Sequence, residues 1–100
     1  MIKHFILWKL RADIPKEDIP KIKEDVKREL EGLKGKIEGL VNIEVYIGGL
    51  ASSNADIMLD SVFVDEAALK GYAIHPEHVK VADNYVRPYT QVRMCLDYQE

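Results

Sequence analysis

Apolar and polar residues alternate along the first eleven positions of the chain. One side of an extended backbone would carry Ile2, His4, Ile6, Trp8 and Leu10. This two-residue period predicts a β-strand over residues 2–11, in which His4 is the one polar residue on that side. The opposite side is apolar in its middle, so we expect both sides of the strand to be covered.

A helical period follows the first strand. Apolar residues recur every three or four positions between residues 19 and 37, which is typical of an amphipathic helix. Pro20 is tolerated only in a first turn, and Gly32 and Gly35 interrupt the far end. The pattern predicts a helix over about residues 16–34.

Three later segments have the composition of strands. Residues 40–48 are rich in β-branched side chains and end at glycine, and residues 55–64 and 90–98 alternate with a period of two. A glycine- and serine-rich loop separates the first two of these segments. We therefore predict four strands in all.

A second helical region lies between the last two strands. Asp65 is a suitable N-cap for a helix over residues 65–73. The His75-Pro76 step ends that helix, because proline disfavours helical backbone at the residue before it. A short helical turn is expected from about residue 76 to residue 84.

The predicted order is βαββαβ over residues 1–100, which indicates one domain. This is the ferredoxin-like α+β pattern, a four-stranded antiparallel sheet with helices on one face. The bare face would expose Phe5, Leu7, Met58 and Val62 as an apolar patch. We expect a homodimer in which two such sheet faces cover each other.

The charge of the chain excludes some classes of function. The net charge is −3, with 14 basic and 17 acidic residues. Lysines concentrate between Lys16 and Lys36, but acids are interleaved with them, which is typical of a solvated helix face. A phosphate-binding track would be more uniformly basic, so we expect no nucleic-acid partner.

The hydropathy and the cysteine content indicate a location. No apolar run approaches the ~20 residues of a membrane span, and the first residues are too charged for a signal peptide. Cys95 is the single cysteine, so no internal disulfide can form, which fits a reducing compartment. We expect a cytoplasmic protein with no membrane partner.

The segment from Tyr72 to His78 is the densest in versatile side chains, with a tyrosine, a proline and two of the three histidines. Histidine changes charge near neutral pH, and a phenol can donate a hydrogen bond to a carbonyl oxygen. If the protein performs chemistry, the first candidate residues for it lie in this segment. The same groups could instead contact a ligand without catalysis, or satisfy one another in a structural core.

Other candidate roles are more limited. His75 precedes a proline at a helix end, where its ring can cap the last carbonyl groups. His75 and His78 are three positions apart, but Cys95 has no spacing relation to them, so no complete ligand set is visible. Neither GxGxxG nor a P-loop occurs. We predict no metal site and no cofactor.

Two features together resemble one known family. The opening Ile2-Lys3-His4-Phe5-Ile6-Leu7-Trp8-Lys9-Leu10 and the motif Tyr72-x-x-His75-Pro76-x-His78 look like those of the stress-responsive dimeric α/β-barrel (Dabb) proteins. The resemblance covers nearly the whole chain. It implies a ferredoxin-like protomer, a tight homodimer whose sheets form a barrel, and an apolar cavity between sheet and helices.

The resemblance also implies site residues. The characterised enzymatic branch is plant polyketide cyclase, which closes a linear polyketone by aldol condensation with a tyrosine and a histidine that fall on Tyr72 and His78. A histidine of its first strand falls on His4. The first helix of that branch lends aromatic residues to the pocket, whereas this chain has Ile22 and Val26 at the inward positions. No residue singles out the related cofactor-free monooxygenases or haem-dependent enzymes.

Three functional hypotheses follow. The first is a cofactor-independent enzyme that acts on a hydrophobic carbonyl compound, with His78 as base and Tyr72 as donor. The second is a non-catalytic module that binds small molecules or serves a stress response with the same cavity. The third is a dimer with a filled core and structural histidines. The residues expected to contact a ligand are His4, Ile6, Trp8, Leu59 and Val79.

Overall fold

The sheet has the predicted four strands, all antiparallel, in the spatial order Leu40–Tyr46, Ile57–Phe63, Ile2–Leu10 and Thr90–Gln99. The computed structural model describes residues 1–100. The α+β, ferredoxin-like prediction is confirmed. The elements are β1 (Ile2–Leu10), α1 (Ile19–Glu31), β2 (Leu40–Tyr46), β3 (Ile57–Phe63), α2 (Glu66–Ile74), α3 (Pro76–Val81) and β4 (Thr90–Gln99).

The first helix is shorter than predicted at both ends. A 3₁₀ turn, Lys16–Asp18, precedes α1, and Pro20 occupies its first turn, where no intrahelical donor is lost. Gly32 caps the end of α1 through its backbone N–H, which donates to carbonyl oxygens of the last turn. The chain then turns until Gly35, whose φ of +86° is a conformation that favours glycine.

The second helical region is divided at His75. The Asp65 carboxylate accepts a hydrogen bond from the Ala68 N–H at 2.8 Å, which confirms its predicted capping role. His75 has extended backbone, and α3 restarts at Pro76, followed by a π turn, Ala82–Val86, and a 3₁₀ turn. None of the helices is both long and apolar enough for a membrane span.

The helices cover one face of the sheet. On that face every second residue of β1, from Ile2 to Leu10, is buried, and these side chains join one core of 17 buried residues with α1 and α2. On the opposite face Leu7 is 42% exposed. The exposed apolar residues of β4 on that bare face are Val92, Met94, Leu96 and Tyr98.

Strand β4 differs from the other three strands on the helix side. It pairs with β1, and it has no extended contact with any helix. Its residues on that side are therefore exposed, namely Arg93, Cys95 and Asp97. This uncovered strip beside α2 leaves an open cleft, which leads toward the site described below.

Gly39 allows α2 to approach the sheet closely. It has a φ of +85°, and a Cβ atom there would lie 2.4 Å from the Cβ of Ala68. That distance is shorter than any real contact, so no other residue fits without moving α2. The Gly39 carbonyl oxygen also accepts a hydrogen bond from the Val64 N–H at 3.0 Å.

Candidate functional site

A small cavity of about 120 Å³ lies between the helix-covered face of the sheet and the helical region after β3. Its walls are mainly apolar side chains, and its polar lining residues are a tyrosine, two histidines, a threonine and two arginines. A dry cavity of about 150 Å³ can bind benzene, so this volume suits a group of only a few heavy atoms.

The structure brings together six of the seven side chains that the sequence singled out. The cavity is lined by His4, Ile6, Trp8, Leu59, Tyr72 and His78, among others. Val79 is partly buried and is not among the residues that line the cavity. One step along a helix rotates a side chain by about 100°, which turns Val79 away from the cavity that His78 enters. The buried positions near the end of this region are Val81, Ala82 and Val86.

Tyr72 supplies the most unusual polar atom of the cavity. Its side chain is 2% exposed, and its hydroxyl has no hydrogen-bond partner within the protein. Burial raises the pKa of Tyr72 far above its usual value, so the phenol stays protonated and can donate. An unpartnered buried hydroxyl is costly, and a ligand oxygen in the cavity would satisfy it.

His78 lies against the face of the Tyr72 ring, with the ring centroids 4.1 Å apart and the planes inclined by 30°. Its Nδ1 is 3.3 Å from the carbonyl oxygen of Ala73, an acceptor, so the proton lies on Nδ1 and the neutral ring has Nε2 free to accept. Burial, as the largest cause, lowers the pKa of His78 below its usual value. The ring is therefore a neutral base near pH 7.

His4 is held by a partner that the sequence did not reveal. Asp97 lies directly opposite His4 in the register of β1 and β4, and its carboxylate accepts a hydrogen bond from Nδ1 of His4. The His4 ring contacts Tyr72 and Phe63 edge-on, with both centroid distances 6.1 Å. Asp97 therefore fixes the His4 ring in the cavity wall. A histidine predicted on a buried strand face needs a hydrogen-bond partner, and that requirement could have directed a search toward Asp97.

The register of β1 and β4 also brings Cys95 close to His4 and Asp97. Its Sγ lies 3.7 Å from His4 Nδ1 and 3.5 Å from Asp97 Oδ1. The candidate ligand atoms of these three residues lie within 4.8 Å of one another, so they could hold one divalent ion after loss of the Nδ1 proton. Burial raises the pKa of the Cys95 thiol, so it is protonated at neutral pH.

His75 caps a different helix from the one expected. Its Nδ1 accepts a hydrogen bond from the Glu77 N–H at 3.1 Å, at the start of α3. The predicted contact with the last carbonyl groups of α2 is not made, because the extended backbone at His75 directs the ring forward. His75 therefore belongs to the turn rather than to the cavity.

The cavity thus combines a fixed hydrogen-bond donor with a neutral acceptor in apolar surroundings. A carbonyl oxygen that accepts from Tyr72 would bring its α-carbon near the two histidines that line the same space. This arrangement suits removal of a proton from a carbon acid, because the donor is positioned for the oxygen that becomes negative.

Comparison with known proteins finds one family whose domain matches nearly the whole chain, and several solved structures with a similar fold. Residues 2–100 match the stress responsive A/B barrel domain. A solved dimeric protein of unknown function and ferredoxin-like fold from Bacteroides fragilis is 33% identical, with a TM-score of 0.92 over 99% of this chain and 95% of that one. No curated protein matches.

Two further solved structures are more distant. A dimeric ferredoxin-like protein of unknown function from Thermobifida fusca is 23% identical, with a TM-score of 0.81 over 97% of this chain and 88% of its own. A hydroxynitrile lyase from Passiflora edulis is 13% identical, with a TM-score of 0.71 over 97% of this chain and 90% of its own. At these identities the likeness shows the fold alone.

The unpartnered hydroxyl of Tyr72 leads to a prediction about stability. Tyr72→Phe removes it and keeps the ring, so we expect the free energy of unfolding without ligand to rise by about 1–3 kcal/mol. Ser61→Ala is the control, since the Ser61 hydroxyl is fully buried but donates to the His4 carbonyl oxygen at 3.0 Å, and its loss should cost about 1 kcal/mol. Urea unfolding measures both, and equal losses would show that the Tyr72 hydroxyl has a partner in solution.

The lowered pKa of His78 predicts a pH dependence of stability. The His78 ring binds a proton more readily in the unfolded chain than in the folded one. The contribution of the neutral His78 ring to the free energy of unfolding is therefore full above the ordinary pKa of 6.5 and is lost as the pH falls below it. We expect His78→Gln to lose less stability than the wild type between pH 7.5 and pH 5. Urea midpoints across this range measure the difference, and parallel curves would contradict the assignment.

Proposed function

The chain belongs to the stress responsive A/B barrel domain family, and on that premise we propose that it is a cofactor-independent enzyme that abstracts a proton beside the carbonyl group of a small compound. The observation that supports this most directly is the buried Tyr72 hydroxyl without a partner, in a cavity that His78 also lines. A purely structural core would satisfy that hydroxyl.

In this proposal each residue has one task. The Tyr72 hydroxyl donates to the substrate carbonyl oxygen, and the His78 imidazole accepts a proton from the adjacent carbon through Nε2. The C–H electron pair becomes the enolate, whose negative oxygen stays bound to the phenol. The enolate carbon then regains the proton from the histidine. Alternatively, that carbon attacks a second carbonyl group, as in an aldol condensation, and the alkoxide that forms takes the histidine proton. His4, oriented by Asp97, is a positioning residue of the cavity wall.

The fold and the dimensions of the cavity bear on the substrate. The same fold carries a hydroxynitrile lyase in Passiflora edulis, so it is compatible with an enzyme. Leu30 is the residue of α1 that lines the cavity, while Ile22 and Val26 do not reach it. A volume of about 120 Å³ is too small for a whole linear polyketone, which favours a short carbonyl group held inside with any longer part outside.

Exchange of α-protons tests the proposal. Cyclopentanone in D₂O, followed by ¹H NMR, should lose its α-proton signals faster with the protein than without it. We expect His78→Gln to slow the catalysed exchange by about 10²–10⁴-fold. Tyr72→Phe should slow it by about 10²–10³-fold, the effect of removing one donor to a developing oxyanion.

His75→Asn is the matched control for the exchange experiment. It removes a histidine outside the cavity and keeps a side chain that can cap α3. We expect its exchange rate to equal that of the wild type. Unchanged exchange in His78→Gln would refute the base assignment, and thermal stabilisation by the ketone without any exchange would favour the non-catalytic binding module.

We also propose that two copies associate through the bare sheet face. The similar proteins from Bacteroides fragilis and Thermobifida fusca are dimeric. In this chain the bare face presents Met94 and Leu96, which are 66% and 65% exposed, beside Leu7. An apolar surface of this kind is stabilised by burial against a symmetry-related copy.

Substitution on that face should separate the copies. We expect light scattering after gel filtration to give the wild type about twice the 11.4 kDa of one chain, and Leu96→Glu to give one chain. Leu50→Glu is the control, since Leu50 is 79% exposed and lies in the loop between β2 and β3. A dimeric Leu96→Glu protein would place the interface elsewhere.

A further inference from the structure

Two arginines are the charged side chains that line the cavity, apart from its histidines. Arg87 follows the helical region after α3, and Arg93 lies on β4 opposite Trp8. No carboxylate lines the cavity. The walls are otherwise mainly apolar, so these two guanidinium groups give the cavity a positive character at neutral pH.

The two arginines differ in their partners. Arg87 forms an ion pair with Asp83, one turn earlier in the same helical region. Arg93 forms no salt bridge. The acid four positions further along the same side of β4, Asp97, is bound to His4 instead. Arg93 therefore has no carboxylate partner in the protein, and apart from a contact with the Cys95 thiol its guanidinium group is available to a ligand.

Arg93 also occupies the boundary between two spaces. The open cleft beside α2, with a volume of about 600 Å³, shares His4, Leu69, Ala73 and Arg93 with the cavity. The cleft itself is of mixed charge, since Glu66 and Asp97 line it together with Lys70 and Arg93. A ligand that has its carbonyl group in the cavity and the rest of its atoms in the cleft would therefore lie beside Arg93.

The positive charge also acts on the polar groups of the cavity. Arg93 opposes part of the rise that burial causes in the pKa of Tyr72, and Arg87 adds to the lowering of the pKa of His78. Both guanidinium groups belong to residues that line the cavity, where a positive charge stabilises a negative charge formed inside it. An anion at Arg93 would lie within the same field.

We propose that the substrate class is a short carbonyl compound with a carboxylate group, in which Arg93 binds the carboxylate while Tyr72 binds the ketone oxygen. This inference rests on the proposed function, because it names the substrate of that same cavity. The guanidinium group presents two parallel N–H donors that match a carboxylate, and its charge does not depend on pH in the physiological range. Arg93 thus determines specificity, and His78 and Tyr72 perform the proton transfer.

The test compares three keto acids with their methyl esters. The probes are 2-oxobutanoate, acetoacetate and 4-oxopentanoate, which place the carboxylate at increasing distance from the ketone, and each ester removes the charge only. Dissociation constants come from NMR titration of the ¹⁵N-labelled protein at fixed ionic strength. We expect at least one acid to bind the wild type about 10-fold or more tighter than its ester.

Variants assign that preference to one side chain. Arg93→Gln should bind the preferred acid and its ester equally, with the ester affinity unchanged, and Arg93→Lys should keep part of the preference. Lys16→Gln is the matched control, since it removes one positive charge from an exposed turn outside the cavity and the cleft. It should keep the wild-type preference. The preference should also persist at pH 8.5, where the lowered pKa of His78 leaves its ring neutral and the guanidinium groups keep their charge.

The outcomes separate this inference from the proposed function. Equal affinities of acid and ester for the wild type, together with exchange that depends on His78, would overturn the role of Arg93 and leave the proposed function standing. An Arg93→Gln protein that loses ester and acid affinity equally would show a structural role for Arg93 and overturn the inference. If neither acids nor esters bind, the inference is wrong, and the exchange of cyclopentanone α-protons alone decides the proposed function.

Discussion

The arrangement of the site depends on one constraint, which is that the helices cover three strands of a four-stranded sheet. Helices α1 and α2 pack on β2 and β3, and the residues of β1 on the same side are buried. Strand β4 pairs with β1 alone, and its residues on that side are exposed. A covered β4 would require apolar residues on that side. Because it is uncovered, it can carry an arginine, a thiol and a carboxylate next to a buried histidine, and the interior of the domain meets solvent there.

The same physical cause gives the two central side chains opposite chemical roles. Removal from water disfavours the charged form of any group, so it keeps the Tyr72 phenol protonated and the His78 imidazole unprotonated. A donor and an acceptor therefore coexist at neutral pH. The Ala73 carbonyl oxygen and the Asp97 carboxylate then decide which ring nitrogen of each histidine faces inward.

The sequence predicted the fold well because its main signals are periodic. The alternation in β1 identified the buried side with His4 on it, and the stripe of α1 and the Asp65 cap placed the helices to within a few residues. The cavity residues on β1 were predictable for the same reason. The partnership of His4 with Asp97 and Cys95 was not, since it depends on the register of strands at opposite ends of the chain. Val79 is next to His78 in α3 but does not line the cavity, because neighbouring helical residues point in directions about 100° apart.

The position of Tyr72 in the cavity depends on a glycine outside the cavity, Gly39. A methyl group at Gly39 would clash with Ala68 in α2, the helix whose last turn contains Tyr72. Since the cavity has room for only a few atoms, a shift of α2 by about 0.5 Å would change which molecules fit. Sequence drift at a position that touches no ligand can thus redirect the chemistry of the domain, and swapping the loop before β2 between relatives is a route to new selectivity.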